Sequence, residues 1–354
     1  MQKLLYVTAF PPNHKSGGQT FSYNAIKDLA HKYSIDLIYF DYANHEIEVS
    51  EYVNEIKHYK PSIMNAMCRP YFFPIFSKRY NTRIKESIQK IADNYDVLYF
   101  DYSQVAIYSL FICHKKKIIR CHDVMVQKFL RKNRFIAKWV EKNEYRILKS
   151  ANQIFVPSQK DQEIIRRKYN LFSEYTNEYI ADYSLKEDIS MNGKYIFFGL
   201  WSRKENLDGL NWFLDNVYLQ LEENVKKNLI IMGGGMRDEY KKILKNKFEI
   251  DCLGYVDDCY TVISQCKAMI VPLFSGAGVK IKVLDSFITG TPVIGTDIAF
   301  EGIPKINGLT YKAETVQEFV EIINGIHQLD VKEKKKLGLE FKNNYNCRHL
   351  ADFI

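Results

Sequence analysis

Short apolar runs alternate with longer stretches of helical periodicity along most of this chain, and the alternation stops only once, at residues 171–192. Residues 4–10, 35–40, 97–101, 117–121 and 153–156 read as strands. Between them, 20–31, 84–94, 135–149 and the stretch opening at Gln159 read as helices. Strands joined through helices lie parallel, and the helices then cover both faces of the sheet. From 171 to 192 the periodicity fails and polar and acidic residues accumulate, as expected of a connecting segment. The pattern then restarts, with strands at 195–199, 228–233, 250–253, 268–271 and 292–295 and helices at 208–221, 241–246, 260–265, 315–326 and 331–345. At 354 residues the chain exceeds one ordinary core, and two domains of about 150–200 residues suit it better. The expected architecture is α/β: two doubly wound, Rossmann-like domains at 1–175 and 194–354, a linker at 176–193, and a last helix free to pack back on the first domain. Ligands of such sheets gather at the C-terminal ends of the strands, here in a cleft where the two domains face each other.

Composition narrows the setting. The hydrophobic share of 46% supports well-filled cores. No run of about 20 uncharged apolar residues occurs, so no transmembrane span is expected. The N-terminal MQKLLYV lacks a secretory core and cleavage site and reads as a buried strand. Seven cysteines, scattered without paired spacing, fit reduced thiols in a cytoplasmic protein rather than a disulfide framework or a zinc site. The net charge of +8 has two readings. One is a solvated basic surface, and the other is attraction to anionic lipid headgroups or diphosphate substrates. No nucleic-acid-binding motif accompanies the charge.

The densest pattern is PLFSGAGVKIKVLDSFITGTPVIGTDIAFEGIP, residues 272–304. A strand ends in Pro272, a glycine turn follows at Gly276-Ala277-Gly278, and a helix opens that carries Lys280, Lys282 and Asp285. Backbone N–H groups at such a turn form a ready phosphate site, to which lysines add countercharge. The segment resembles the donor-binding core of the group 1 (family 4) glycosyltransferases of the GT-B fold. Their core runs G-x-G-x-x-x-K-x-x-E and then G-x-P-V, matched here by Gly276, Gly278, Lys282, Asp285, Gly290, Pro292 and Val293. Where the family often carries two glutamates eight positions apart, this chain has Ala277 and Asp285. Sparser matches run through Gly17-Gly18, His122-Asp123, Gly199 and Gly254-Tyr255.

Each candidate has a functional and an ordinary reading. Gly17 and Gly18 open the loop after the first strand. They start a helix, or they let backbone approach the donor diphosphate, where a side chain would be in the way. His122 and Asp123 follow a strand tip; the resemblance implies that the histidine lines the transferred sugar, with Asp123 orienting it or capping the next segment. Arg203 and Lys204 suit a doubly charged leaving group or a solvated loop, and helix capping suffices to explain Asn206. The resemblance places Gly254, Tyr255 and Val256 at the nucleobase and Asp285 on the ribose hydroxyls. Lys282, three residues before Asp285 on the same helical face, can then reach the diphosphate together with the Gly276, Ala277 and Gly278 turn. Lys280 points elsewhere and is expected to be solvated. At 69–85, RPYFFPIFSKRYNTRIK interleaves aromatics with Arg69, Lys78, Arg79 and Arg83. It forms either a membrane-surface patch or a buried hydrophobic arm.

The resemblance implies retaining transfer of a sugar from a nucleotide-diphosphate donor to a hydroxyl acceptor, a glycan or lipid-linked saccharide of bacterial polysaccharide or glycoconjugate assembly. The expected place is the cytoplasm, or the inner face of the plasma membrane as a peripheral protein. No cofactor is called for beyond the donor itself. No D-x-D motif sits at a strand end, so no metal is required. Competing readings are a non-catalytic sugar-nucleotide-binding partner of another transferase and a GT-B-fold sugar-nucleotide epimerase or hydrolase. A Rossmann dehydrogenase lacks the expected G-x-G-x-x-G after the first strand.

Overall fold

Parallel pairing organises both halves of the chain. The computed structural model describes all residues except 16, 43–44, 131–132, 177–182, 277 and 346–348. Two compact units emerge: Met1–Glu178 together with Arg348–Ile354, and Tyr179–Cys347. The first holds strands β1 (Gln2–Thr8), β2 (Tyr33–Phe40), β3 (Ile56–Tyr59), β4 (Val97–Asp101), β5 (Lys117–Arg120), β6 (Gln153–Val156) and β7 (Glu174–Tyr175). Its helices are α1 (Gly17–Leu29), α2 (Ile63–Met67), α3 (Pro74–Ser77), α4 (Thr82–Ile91), α5 (Met125–Leu130), α6 (Arg134–Lys149) and α7 (Gln159–Tyr169). The sheet order is β3-β2-β1-β4-β5-β6-β7, and every pairing is parallel.

The second unit repeats the scheme with β8 (Tyr195–Phe198), β9 (Leu229–Met232), β10 (Asp251–Gly254), β11 (Ala268–Val271), β12 (Val293–Gly295) and β13 (Thr310–Lys312). Its helices are α8 (Lys204–Asn216), α9 (Glu223–Lys227), α10 (Asp238–Phe248), α11 (Cys259–Gln265), α12 (Ile281–Ile288), α13 (Val316–Gly325) and α14 (Val331–Asn344). The order β10-β9-β8-β11-β12-β13 is again all parallel. In each unit the third, second and first strands lie on one side and the fourth, fifth and sixth on the other. The winding direction therefore reverses between β1 and β4, and between β8 and β11. That reversal opens a crevice at the strand ends.

The local reasons are legible. Along β1, Leu5 and Val7 enter one core while Leu4 and Tyr6 enter the other, so both faces are buried and the run is continuously apolar. Helix starts are capped by side chains: Asn133 accepts from the N–H groups of Phe135 and Ile136, Ser158 from Asp161, and Asp258 from Thr261. Thr315 and Asp330 form capping boxes with Glu318 and Glu333.

One expectation changes, and one open alternative is decided for most of its apolar residues. β7 lies inside the stretch read as connecting, where it pairs with β6. The 69–85 segment is largely core rather than a surface patch. Phe72, Phe76, Tyr80 and Ile84 are buried, and buried Arg79 donates from Nε to the Ala9 carbonyl at 3.0 Å while lying over the Phe10 ring. Pro74 starts α3 and turns the chain inward, and Asn143 on α6 accepts the Phe73 N–H at 2.9 Å. Of its aromatics, Tyr71 stays exposed.

Candidate functional site

At the reversal point of the first unit, β4 delivers Asp101 and β5 delivers Arg120, two charged residues at the ends of apolar strands. Both are buried. Arg120 Nη1 donates to Asp101 Oδ1 at 3.0 Å, and His122 Nε2 lies 2.7 Å from the same oxygen. Ser22 on α1 and Thr8 at the end of β1 donate hydroxyls to Oδ2. Burial pushes the Asp101 carboxyl up. The positive charges of His122 and Arg120 and the hydrogen bonds from His122 and Ser22 more than offset this, and its pKa falls below the usual carboxylate range. Burial lowers the pKa of His122, Arg120 lowers it further, and Asp101 opposes both. The Tyr102 ring lies flat on the His122 imidazole, with centroids 3.6 Å apart and planes 5° apart. Tyr102 takes φ +81°, rare for a side-chain-bearing residue. Gly18, in the first turn of α1, leaves room for this ring: a Cβ there would stand 2.6 Å from the Tyr102 hydroxyl. Asp123 sits half-buried in the bend after β5, and its charge adds to the upward push on the Tyr102 hydroxyl.

The second unit builds a cationic, glycine-lined group at its own reversal point. Lys282, in the first turn of α12, donates from Nζ to Asn206 Oδ1 at 2.8 Å. Asn206 in turn donates from Nδ2 to the Leu200 carbonyl at 2.8 Å. It is therefore a brace between the β8–α8 loop and Lys282, not the helix cap expected; Arg203 holds the N-cap position without a side-chain bond. A Cβ on Gly199 would meet the Asn206 amide at 2.9 Å and Lys282 Nζ at 3.4 Å, so glycine brings backbone to the ammonium. Burial, with the positive charges of Lys280 and Arg203, lowers the Lys282 pKa to about 7 against the pull of Glu205. Gly276 and Gly278 turn at φ +126° and +74°. Lys280 is not solvated as expected: its Nζ donates to the Gly278 carbonyl at 2.5 Å and pairs with buried Glu301 at 3.4 Å. Asp285 is buried and accepts from the Tyr260 hydroxyl at 3.1 Å.

Residues 193–328 match the family model for group 1 glycosyl transferases. That stretch lies in the second unit and is less than half of the chain. An uncharacterised 44.6 kDa protein in the cps region of Klebsiella pneumoniae is 29% identical over 119 residues, which is 31% of this chain and 31% of that protein's own length. Similarity to solved structures runs end to end. Sucrose-phosphate synthase from Thermosynechococcus elongatus superposes with TM-score 0.71 at 15% identity, covering 98% of this chain and 95% of that one. Anabaena HepE in complex with UDP-glucose gives 0.67 at 12%, covering 100% and 97%. S. aureus TarM, in complex with fondaparinux, α-GlcNAc-glycerol and UDP, gives 0.69 at 12%, covering 100% and 98%. The fold is GT-B.

Within the GT-B frame the residues named from sequence separate into groups. Lys282, Gly199 and Asn206 come together, with Arg203 close enough to affect the lysine. Arg203 itself is half-exposed and pairs with Glu205 at 3.8 Å. Lys204 faces solvent and pairs with Asp208 at 2.8 Å, one helical turn on. Gly254 ends the edge strand β10 and Tyr255 and Val256 follow it; the Gly254 carbonyl accepts the Gly233 N–H at 2.7 Å and Tyr255 is exposed. Ala277 lies outside the described residues. In the first unit Gly18 and His122 share one cluster through Tyr102, and Gly17 begins the same helix. Sequence reasoning missed Asp101, Tyr102 and Tyr260. A carboxylate closing an otherwise apolar central strand was the available signal for Asp101, because such a group must find partners.

Proposed function

We propose that this chain transfers a sugar, with retention of anomeric configuration, from a nucleotide-diphosphate sugar to a hydroxyl of a glycan or lipid-linked saccharide. The observation that carries the reading is the Lys282–Asn206–Gly199 cluster, inside the stretch that matches group 1 glycosyl transferases. On this reading Lys282 and Arg203 offset the charge developing on the departing diphosphate, and backbone N–H groups of the turn add their dipoles. Asp285 takes ribose hydroxyls and the Gly254–Val256 backbone meets the base. Gly17, Gly18 and His122 serve the donor from the first unit. The countercharge is supplied by side chains, so the reaction needs neither a resident cofactor nor a metal ion. UDP-glucose on HepE and α-GlcNAc-glycerol on TarM are ligands of the kind proposed, and the cps-region relative supports polysaccharide assembly.

Peripheral membrane contact is part of the proposal, narrowed within 69–85 to exposed Tyr71 and extended to α6. Trp139 Nε1 donates to the Tyr71 backbone carbonyl at 3.0 Å, and both side chains are exposed. Phe135 is exposed earlier on the same helix, with Arg134 and Lys138 beside it. Apolar side chains amid basic ones suit an anionic lipid surface. Phe135→Ser should lower sedimentation with phosphatidylglycerol vesicles; equal sedimentation of both proteins counts against this contact.

The decisive experiment is radiolabelled transfer with a panel of sugar nucleotides and lipid-extract acceptors. Asp285→Ala, with circular dichroism unchanged, should raise the donor KM about tenfold or more; an unchanged KM removes Asp285 from the site. A non-catalytic sugar-nucleotide-binding module is the second reading, favoured by the shortened acid at Asp285 and the engagement of that acid by Tyr260. Tight nucleotide binding without turnover on any acceptor would favour it.

A further inference from the structure

The cluster around Asp101 is more elaborate than a buried carboxylate requires. Asp101 gathers four donors from three stretches of chain: Thr8, Ser22, and Arg120 with His122. An ionised carboxylate only accepts hydrogen bonds, so the imidazole nitrogen beside it carries the proton. That nitrogen is Nε2, at 2.7 Å. A neutral ring then has its lone pair on Nδ1. Arg120 is buried against the same Asp101 oxygen and keeps the carboxylate ionised, while Tyr6, Tyr102 and Cys121 are further titratable groups around it and Asp123 acts on Tyr102.

Tyr102 fixes the plane of the ring. A side-chain-bearing residue in the left-handed region costs about 1–3 kcal/mol and persists only where its surroundings hold it. Here the Tyr102 N–H donates to the Arg120 carbonyl at 2.9 Å, and the Tyr102 carbonyl accepts from Val105 at 3.2 Å and Ala106 at 3.3 Å. The φ of +81° directs the phenol over the imidazole, Phe21 closes edge-on with centroids 6.1 Å apart, and Gly18 leaves the hydroxyl its space. Both the proton position and the orientation of His122 are thereby set before any ligand arrives, and its side chain keeps 12% exposure.

We propose that Asp101 and Tyr102 are positioning residues that hold His122 as the Nε2–H tautomer, so that Nδ1 accepts a hydrogen bond from a hydroxyl of the transferred sugar. The sugar part rests on the function proposed above; the tautomer part stands on the first unit alone. His122 thus recognises a donor hydroxyl through Nδ1.

Long-range ¹H–¹⁵N correlation spectra of the histidine-labelled full chain at pH 7.5 test this, with His122 assigned by its loss in His122→Gln. The wild-type spectrum should show a protonated Nε2 and a pyridine-type Nδ1, and the opposite tautomer overturns the proposal without any variant. Asp101→Asn, whose amide can donate, should populate Nδ1–H and lower kcat roughly 10- to 100-fold with little change in donor KM. An unchanged spectrum or an unchanged kcat overturns it. Tyr102→Phe keeps the ring and should retain activity, whereas Tyr102→Leu should lose it; equal activity of the two removes the stacking role. Should no sugar nucleotide support transfer, the function falls while the spectra still decide the tautomer.

Discussion

Lys282 is a cation held among cations. Burial and the charges of Lys280 and Arg203 bring its pKa down to about 7. Near neutral pH it is therefore partly uncharged before a ligand arrives. A diphosphate would raise that pKa and draw in a proton. UDP binding should thus be accompanied by proton uptake at pH 8 and should tighten as pH falls from 9 to 7, by at most about tenfold per pH unit. Isothermal titration in buffers of different ionisation enthalpy measures the uptake, and Lys282→Met should abolish it. Glu144 works in the opposite sense. Its carboxylate accepts from the N–H groups of Met125 and Val126 and from the Tyr169 hydroxyl, capping the start of α5. Burial outweighs these bonds and pushes its pKa up to about 7. A raised acid contributes stability below its unfolded value that is lost as pH climbs through the folded value, here between about 4.5 and 7. Glu144→Gln should flatten that decline by about 2–3 kcal/mol in urea titrations between pH 5 and 7.5. His122 was visible in the sequence because it follows a strand tip, and Lys282 and Asp285 because they fit the G-x-G-x-x-x-K-x-x-E spacing after a glycine turn. Asp101 was not, since its partners Thr8, Ser22 and Arg120 come from distant stretches and only the sheet order brings them together.

At the scale of elements, α8 is the part whose placement the second site depends on. Gly209 lets it press on the end of β11, where a Cβ would stand 2.2 Å from the Pro272 carbonyl oxygen. Asn206, one turn earlier on the same helix, holds Lys282. Gly209→Ala should push the helix outward, destabilise the unit by about 1–3 kcal/mol and weaken UDP binding. Gly325→Ala, where a Cβ meets nothing within 4 Å, should do neither. Thermal shift with and without UDP reads both effects. The long amphipathic helices and the doubly apolar strands were legible because burial imposes their period. β3 was not, since Ile56, Lys57 and His58 lie exposed at the sheet edge and carry no apolar run. β7 and β13 escaped for a related reason: their two and three residues are too short to establish a period. The buried face of α6 includes Asn143 and Glu144, which hydropathy assigns to solvent.

For the whole molecule, chain order and unit membership part company at the C-terminus. α14 belongs to the second unit and packs on α12, yet Arg348–Ile354 belong to the first. Leu350 is buried in the core beneath α1, and Phe353 meets Phe155 edge-on with centroids 6.1 Å apart. Lys32 donates to the carbonyls of Ala351 at 2.9 Å and Ile354 at 3.2 Å, and Tyr33 adds a bond to Ile354 at 3.1 Å. His349 contacts Asp28, which also accepts the Ala351 N–H at 3.3 Å. Nothing in local periodicity announces this, because six or seven residues returning to the first unit carry no repeat of their own. Removing residues 348–354 would uncover an apolar face and leave Asp28 and Lys32 without these partners. Burial of Leu350 alone is worth about 1.5–3 kcal/mol, and each lost hydrogen bond adds about 1 kcal/mol. Hydrogen exchange should therefore rise across α1 and β2 in the truncated chain while α12 and β11 keep their protection. Equal exchange in α1 before and after truncation would show that the segment contributes nothing to the first unit.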